Sequence, residues 1–203
     1  MRSRTARLFV VIVIAIAFVA VAALLAPSER QLQTIAASAS AFDVHAREAC
    51  DALADVRAAE QAYLVPGQGL PFWMHKVATT VDVAKNVTAS LRQSARDATA
   101  LSALMEADAT LTEFEAVDRR AREYMNAGQQ LMASDVIFTE GAKAAIAASH
   151  QIEAARVAER EATDAASADI RRREAYVAAG AAVFTLLVTL LLVPVPRPRE
   201  SAS

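Results

Sequence analysis

Glu60 is the residue whose position most needs a chemical reason. It interrupts a run of apolar residues at helical spacing, and a carboxylate turned toward a core is costly unless it is paired or hydrogen-bonded. A buried carboxylate of this kind can recognise a cationic or polar ligand. Arg57, Gln61 and Tyr63 lie within one turn of it and Trp73 follows the next loop, so these five residues form the candidate ligand-binding cluster. The structural alternative for the same residues is that Glu60 pairs with Arg57 or a neighbouring helix, or reaches solvent near the loop, while the aromatics belong to the core.

Other chemistry finds little purchase. His45, His75 and His150 are far apart in the chain, and there is no phosphate-binding Gly-Lys-Ser/Thr loop, nucleophile motif or His-Glu-x-x-His pair. A catalytic site, a metal centre and a cofactor are therefore not expected. Cys50 is the only cysteine, which excludes an internal disulfide and a cysteine-built zinc site. The net charge is −2, with 21 basic and 23 acidic residues spread along the middle of the chain, so no basic stripe is offered to nucleic acid.

The elements that must hold these residues are helices. Five glycines and six prolines in 203 residues, recurrent alanine and 5% aromatics disfavour sheets and suit long helices. Residues 8–26 form an uncharged run of about nineteen residues, enough for a helix to cross roughly 30 Å of hydrocarbon. A cleaved signal peptide is the competing reading of that run, with Arg2, Arg4 and Arg7 as its basic flank. Residues 175–195 form a second uncharged run, small-sided at Ala178, Gly180 and Ala182, where another helix can approach closely. Two spans put both termini on one side. Arg2, Arg4 and Arg7, with Arg197 and Arg199 at the other end, argue for the cytoplasm, against Arg171, Arg172 and Arg173 on the opposite side. The expected layout is a cytoplasmic N-terminus at 1–7, a transmembrane helix at 8–26, a periplasmic domain at 27–174, a transmembrane helix at 175–195 and a cytoplasmic tail at 196–203.

Between the spans, Leu32, Ile35, Ala39, Phe42, Ala46, Ala49, Leu53, Val56 and Tyr63 follow alternating 3,4 spacing, the seam of a helical bundle. Ser28 with Gln31 resembles a capping box, which predicts a helix restarting after Pro27. Pro66 to Pro71 predicts a loop, because two prolines lack backbone donors and two glycines turn tightly. A second helix carries Trp73, Val77, Thr80, Ala84, Val87, Leu91 and Ala98 on one face. A third, capped by Asp97 or Ser102, shows Leu101, Leu104, Leu111, Phe114, Ala121 and Met125 before Gly128. Ser134 is the expected cap of a fourth, with Phe138, Ala145 and Ile152 on its early face. The fold class expected is all-α: two transmembrane helices flanking an up-down-up-down four-helix bundle.

That order of span, long helix, two shorter helices, long helix and span resembles the four-helix-bundle sensor module of methyl-accepting chemoreceptors and the CHASE-class sensor domains of histidine kinases. Residues 55–64, Asp-Val-Arg-Ala-Ala-Glu-Gln-Ala-Tyr-Leu, followed by the glycine loop, are similar to the acidic, Tyr-Leu end of that family's first helix. The family often has Glu where Arg57 stands and Arg where Gln61 stands. The resemblance implies a bacterial inner-membrane protein that works as a homodimer and passes ligand or envelope state through the bilayer. With only a short segment after residue 195, the expected relay is to a separate signalling protein, the alternatives being a structural scaffold without a ligand or a truncated receptor remnant.

Overall fold

A computed structural model describes the backbone of residues 2–65, 67 and 69–192. Most side chains of the first apolar run lie outside this description, as do Pro66 and Gln68 of the expected loop, the end of the second run from Val193 and the tail at 196–203. The described chain is helical without strands: α1 (Arg2–Tyr63), α2 (Leu70–Ser94), α3 (Ala98–Asn126), α4 (Gln130–Val136), a π-helical turn (Ile137–Gly141) and α5 (Ala142–Leu192). It divides into two compact units, one of residues 36–164 and one pairing residues 1–35 with 165–203.

The core of the first unit is built on 3,4 spacing. On α1 the buried positions are Phe42, Ala46, Ala49, Leu53, Val56, Glu60 and Tyr63, and on α3 they are Ala100, Leu104, Ala107, Leu111, Phe114, Asp118 and Ala121, each an unbroken sequence of such steps. α2 adds Val77, Val81, Ala84, Thr88 and Leu91, and α5 adds Ala145, Ala148, Ile152 and Ala155. One cluster joins Leu53, Leu91, Leu104 and Ile152 from four helices, with alanine at most of the remaining positions, so the backbones can approach toward the short end of the roughly 8–10 Å interaxial range. The second cluster packs Val56, Tyr63, Val77, Phe114, Val136 and Ile137 around larger side chains.

The helix ends follow from local chemistry. Asp97 has extended backbone and its carboxylate accepts the Ala100 N–H at 2.9 Å, so Asp97, and not Ser102, caps α3. Buried Glu159 of α5 accepts the backbone N–H groups of Arg96 and Asp97, both at 3.0 Å, and ties the α2–α3 connection to α5. Gly128 takes φ 73°, the left-handed conformation that glycine adopts without a Cβ penalty, one residue past the α3 C-cap. Gly69, also left-handed, precedes α2, and Pro71 occupies the first turn of that helix, where a missing N–H costs nothing.

Four expectations need correction. α1 does not restart after Pro27: it is helical through that residue, and Ser28 donates its hydroxyl hydrogen bond to Glu174 instead of capping a helix. The helix after Gly128 begins at Gln130, four residues before Ser134, whose hydroxyl donates back to the Gln130 carbonyl at 3.0 Å. Leu101 is exposed because the α3 seam starts one residue earlier, at Ala100. Phe138 is 56% exposed and Ile137 buried, because the π turn inserts one extra residue between α4 and α5 and shifts the buried register by one.

Among the described residues one helical stretch, Gln130–Leu190, contains a window long and apolar enough to cross a membrane, with a mean hydropathy of 1.4 and none of it buried. Tyr176, Val183, Phe184, Leu186, Leu187 and Leu190 are exposed there, as are Ile12, Ile16 and Val19 of α1.

The capping assignment separates two serviceable residues. Asp97→Ala should destabilise the full chain in detergent by about 1 kcal/mol, and Ser102→Ala by less than about 0.5 kcal/mol, read as the shift in the urea midpoint. Equal effects of the two would contradict the cap.

Candidate functional site

The second core cluster contains an embedded polar group. Glu60 stands at a seam position of α1, where the 3,4 steps through Leu53 and Val56 turn it inward, and only 1% of it is exposed. From α3, the seam position after Phe114 is Asp118, also buried. Tyr63, one turn along from Glu60, donates its hydroxyl to Asp118 Oδ1 at 3.4 Å. Arg122, one turn along from Asp118, donates from Nε to Asp118 Oδ2 at 2.8 Å and approaches the same oxygen with its terminal nitrogen at 2.5 Å. The π turn contributes Gly141, which lies over the Glu60 carboxyl: a Cβ there would stand 3.3 Å from Oε2 and 3.5 Å from Oε1.

Arg122 is thus committed to Asp118, and Glu60 Oε1 is buried with no hydrogen-bond partner. Burial, and next the negative charge of Asp118, push the Glu60 carboxyl up to about 8, with Arg122 opposing. Burial likewise raises Asp118 despite its arginine. The Tyr63 hydroxyl is raised too, by burial and then by the two carboxylates, so it stays a neutral donor. At neutral pH the arrangement that balances is Arg122 positive, Asp118 negative and Glu60 a neutral carboxylic acid. Such a group can bind and release a proton inside a core.

The five residues singled out by sequence divide. Glu60 and Tyr63 meet in this cluster. Arg57 is half-buried, makes no ion pair with Glu60, and leaves its Nε buried without a partner, so neither solvent nor Arg57 satisfies Glu60 as the structural reading had it. Gln61 is exposed, and Trp73 packs at the side of the second core cluster, edge to face with Phe72 at 5.2 Å. Asp118, Arg122 and Gly141 were missed. Asp118 was legible as a gap: Leu111, Phe114 and Ala121 leave the intervening seam position open, and 3,4 stepping fills it with residue 118.

Beside the cluster, Ala78, Val81, Asp82, Glu115, Asp118, Arg119 and Arg122 line a half-open cleft of about 430 Å³ between α2 and α3. Lys85 pairs with Glu115 across those helices at 2.8 Å. Asp118 and Arg122 face both the cleft and the buried carboxyl. Among the described residues no three His, Cys, Asp or Glu side chains converge as metal ligands, and His45, His75 and His150 are all exposed on separate helices. Comparison with protein-family models, with characterised proteins and with solved structures finds no match, so the chemoreceptor-like resemblance rests on the residues themselves.

The sign of the pH effect follows from the direction of the shift. Raised from 4.5 to about 8, Glu60 binds its proton more tightly in the folded than in the unfolded protein. Its contribution to stability is complete below about 4.5, declines as pH rises through that window and is gone above about 8. Asp43 and Glu153, both lowered chiefly by hydrogen bonds from Arg156, act with the opposite sign at acid pH, so the mutant difference is the informative quantity. Urea midpoints of the full chain should fall between pH 5 and 9 more steeply in the parent than in Glu60→Gln. Parallel curves would rule out the neutral buried acid.

Proposed function

We propose that the chain is a membrane-anchored, extracytoplasmic sensor-like module for signal transduction, in which an up-down-up-down four-helix bundle relays ligand or envelope state to a separate partner. In this reading residues 8–26 and 175–195 are both transmembrane helices in a bacterial inner membrane, both termini are cytoplasmic and the bundle is periplasmic. The protein is a homodimer and not an enzyme. The observation that carries the reading is the polar cluster of buried Glu60, Tyr63 and Asp118 with half-buried Arg122, placed where α1, α3 and the π turn meet. A bundle selected only for stability has little use for an unpaired buried carboxyl, whereas a two-state element needs a group whose environment differs between its states.

Further support comes from the helices that bound the core. α1 and α5 are each helical from the cluster to the uncharged runs, the geometry needed for a small shift at one end to be felt at the other. Arg57, Gln61 and Trp73 belong to this proposal as outer residues of the ligand-binding region, with Glu60 and Tyr63 inside it. The scaffold reading is favoured by a different observation: Leu131 is 88% exposed and Phe138 56%, near the α3–α4 connection, where a constitutive envelope partner would find an apolar foothold.

One experiment weighs the two. The full chain in phospholipid nanodiscs is screened by thermal unfolding against a broad metabolite library, in parallel with in-cell cross-linking. Sensing predicts at least one compound that raises stability by about 2.7 kcal/mol at a hundredfold excess over its Kd. A stoichiometric cross-linked partner with no stabilising compound would replace sensing by scaffolding.

A further inference from the structure

We propose that Glu60 is a proton-binding site coupled to the π turn, so that loss of its proton opens the turn at Ile137–Gly141. This deepens the sensor reading, on which its signalling significance rests, by naming the proton as a signal the domain reads.

The geometry places the two features on each other. Gly141, the last residue of the π turn, is the residue seated over the Glu60 carboxyl, and with a Cβ it would crowd both oxygens. The neutral acid fits there, since a carboxylic acid needs no counter-charge. An ionised Glu60 does not. From α3 it faces Asp118, whose charge repels it, and Arg122, which is already held by Asp118; on its own helix Tyr63 turns its hydroxyl to Asp118 and Arg57 makes no ion pair with it; the π turn lays Gly141, which has no side-chain donor, over the carboxyl. Glu140, the charged residue beside that glycine, is exposed and paired with Arg120.

Relief must come from the softest wall. α1 and α3 are long helices with unbroken seams, while the turn is a five-residue insert between a seven-residue helix and α5. The irregular hydrogen bonding of a π turn makes this stretch the part of the wall that opens most readily, where regular helix would hold. Thr139, which donates to the Asp135 carbonyl at 2.6 Å, marks the intact turn. Deprotonation therefore admits water to the carboxylate by moving the turn, and the movement starts at the N-terminal end of α5.

The test is amide hydrogen exchange of the full chain in nanodiscs of phosphatidylethanolamine and phosphatidylglycerol, read as protection factors from pH 6 to 9.5 so that intrinsic exchange is removed. Amides 137–142 of the parent should lose at least tenfold in protection with a midpoint near pH 8, while those of α3 at 104–114 stay protected. Glu60→Gln should hold its protection throughout. Asp118→Asn, which removes the repelling charge and frees Arg122, should move the midpoint down by a pH unit or more. Protection that is independent of pH, or that falls equally in Glu60→Gln, overturns the proposal; an unmoved midpoint in Asp118→Asn does so even where the glutamine variant fails to fold. A spin label at exposed Ala168 of α5 separates this from the sensor reading. A pH response in the turn with a silent label keeps the proton site and removes transmission along α5.

Discussion

The bond between Arg122 and Asp118 decides what Glu60 can be. One cation faces two carboxyl groups in the core, and it is held by Asp118 through two contacts at 2.8 and 2.5 Å. Had Arg122 bridged both acids, the cluster would be an ordinary buried triad, with its charge shared and its cost offset by geometry. With the arginine committed, the remaining carboxyl must be neutral or exposed, and it is not exposed. Burial comes first in raising the affinity of Glu60 for its proton, the Asp118 charge second, and Arg122 is left only to oppose them; burial also comes first in keeping the Tyr63 hydroxyl neutral.

The packing explains why the allocation is stable. Seam positions of adjacent helices face one another, and the polar residues buried there are Glu60 on α1, Thr80 and Thr88 on α2, Asp118 on α3 and Glu159 on α5, of which Thr80 donates its hydroxyl to the Lys76 carbonyl at 2.8 Å. Thr88 satisfies itself on the Ala84 carbonyl at 2.7 Å, and Glu159 is satisfied by two backbone N–H groups of the α2–α3 connection. Asp118 has Arg122 and Tyr63. Of these seam residues, Glu60 is the one left with an unpartnered oxygen.

Most of the architecture was legible in the sequence, for a physical reason. A 3,4 pattern repeats in residue type whenever a helix buries one stripe, so most inward residues of α1, α2 and α3 could be read directly, as could the glycine that ends α3 and Asp97 as one of two possible caps; Leu101 and Ala98, expected on inward faces, are exposed, and Ala98 opens α3 instead of closing α2. The pattern fails where backbone geometry departs from 3.6 residues per turn. Phe138, Ala145 and Ile152 are spaced for one face, yet the π turn puts Ile137 inside in place of Phe138. No side chain announces a π turn. The site was half legible: Glu60 stood out as a charge among apolar neighbours, whereas Arg122 and Gly141 take their meaning from contacts between residues 62 and 81 positions apart along the chain. Pro27 shows the converse, a strong local stop signal that the helix passes through.

The extra residue of the π turn also accounts for the shape of the pocket that Glu60 occupies. The turn widens the helix locally and ends on glycine, leaving room for two carboxyl oxygens where a methyl group would make tight contact. A wider turn has longer, less favourable hydrogen-bond geometry, so it persists only while the surrounding packing favours it. Ile137, Val136 and Ala133 supply that packing from one side and the neutral acid fills the other. The turn and the proton are therefore held by each other: the acid stays neutral because the turn seals it, and the turn keeps its extra residue because a neutral acid lies beneath.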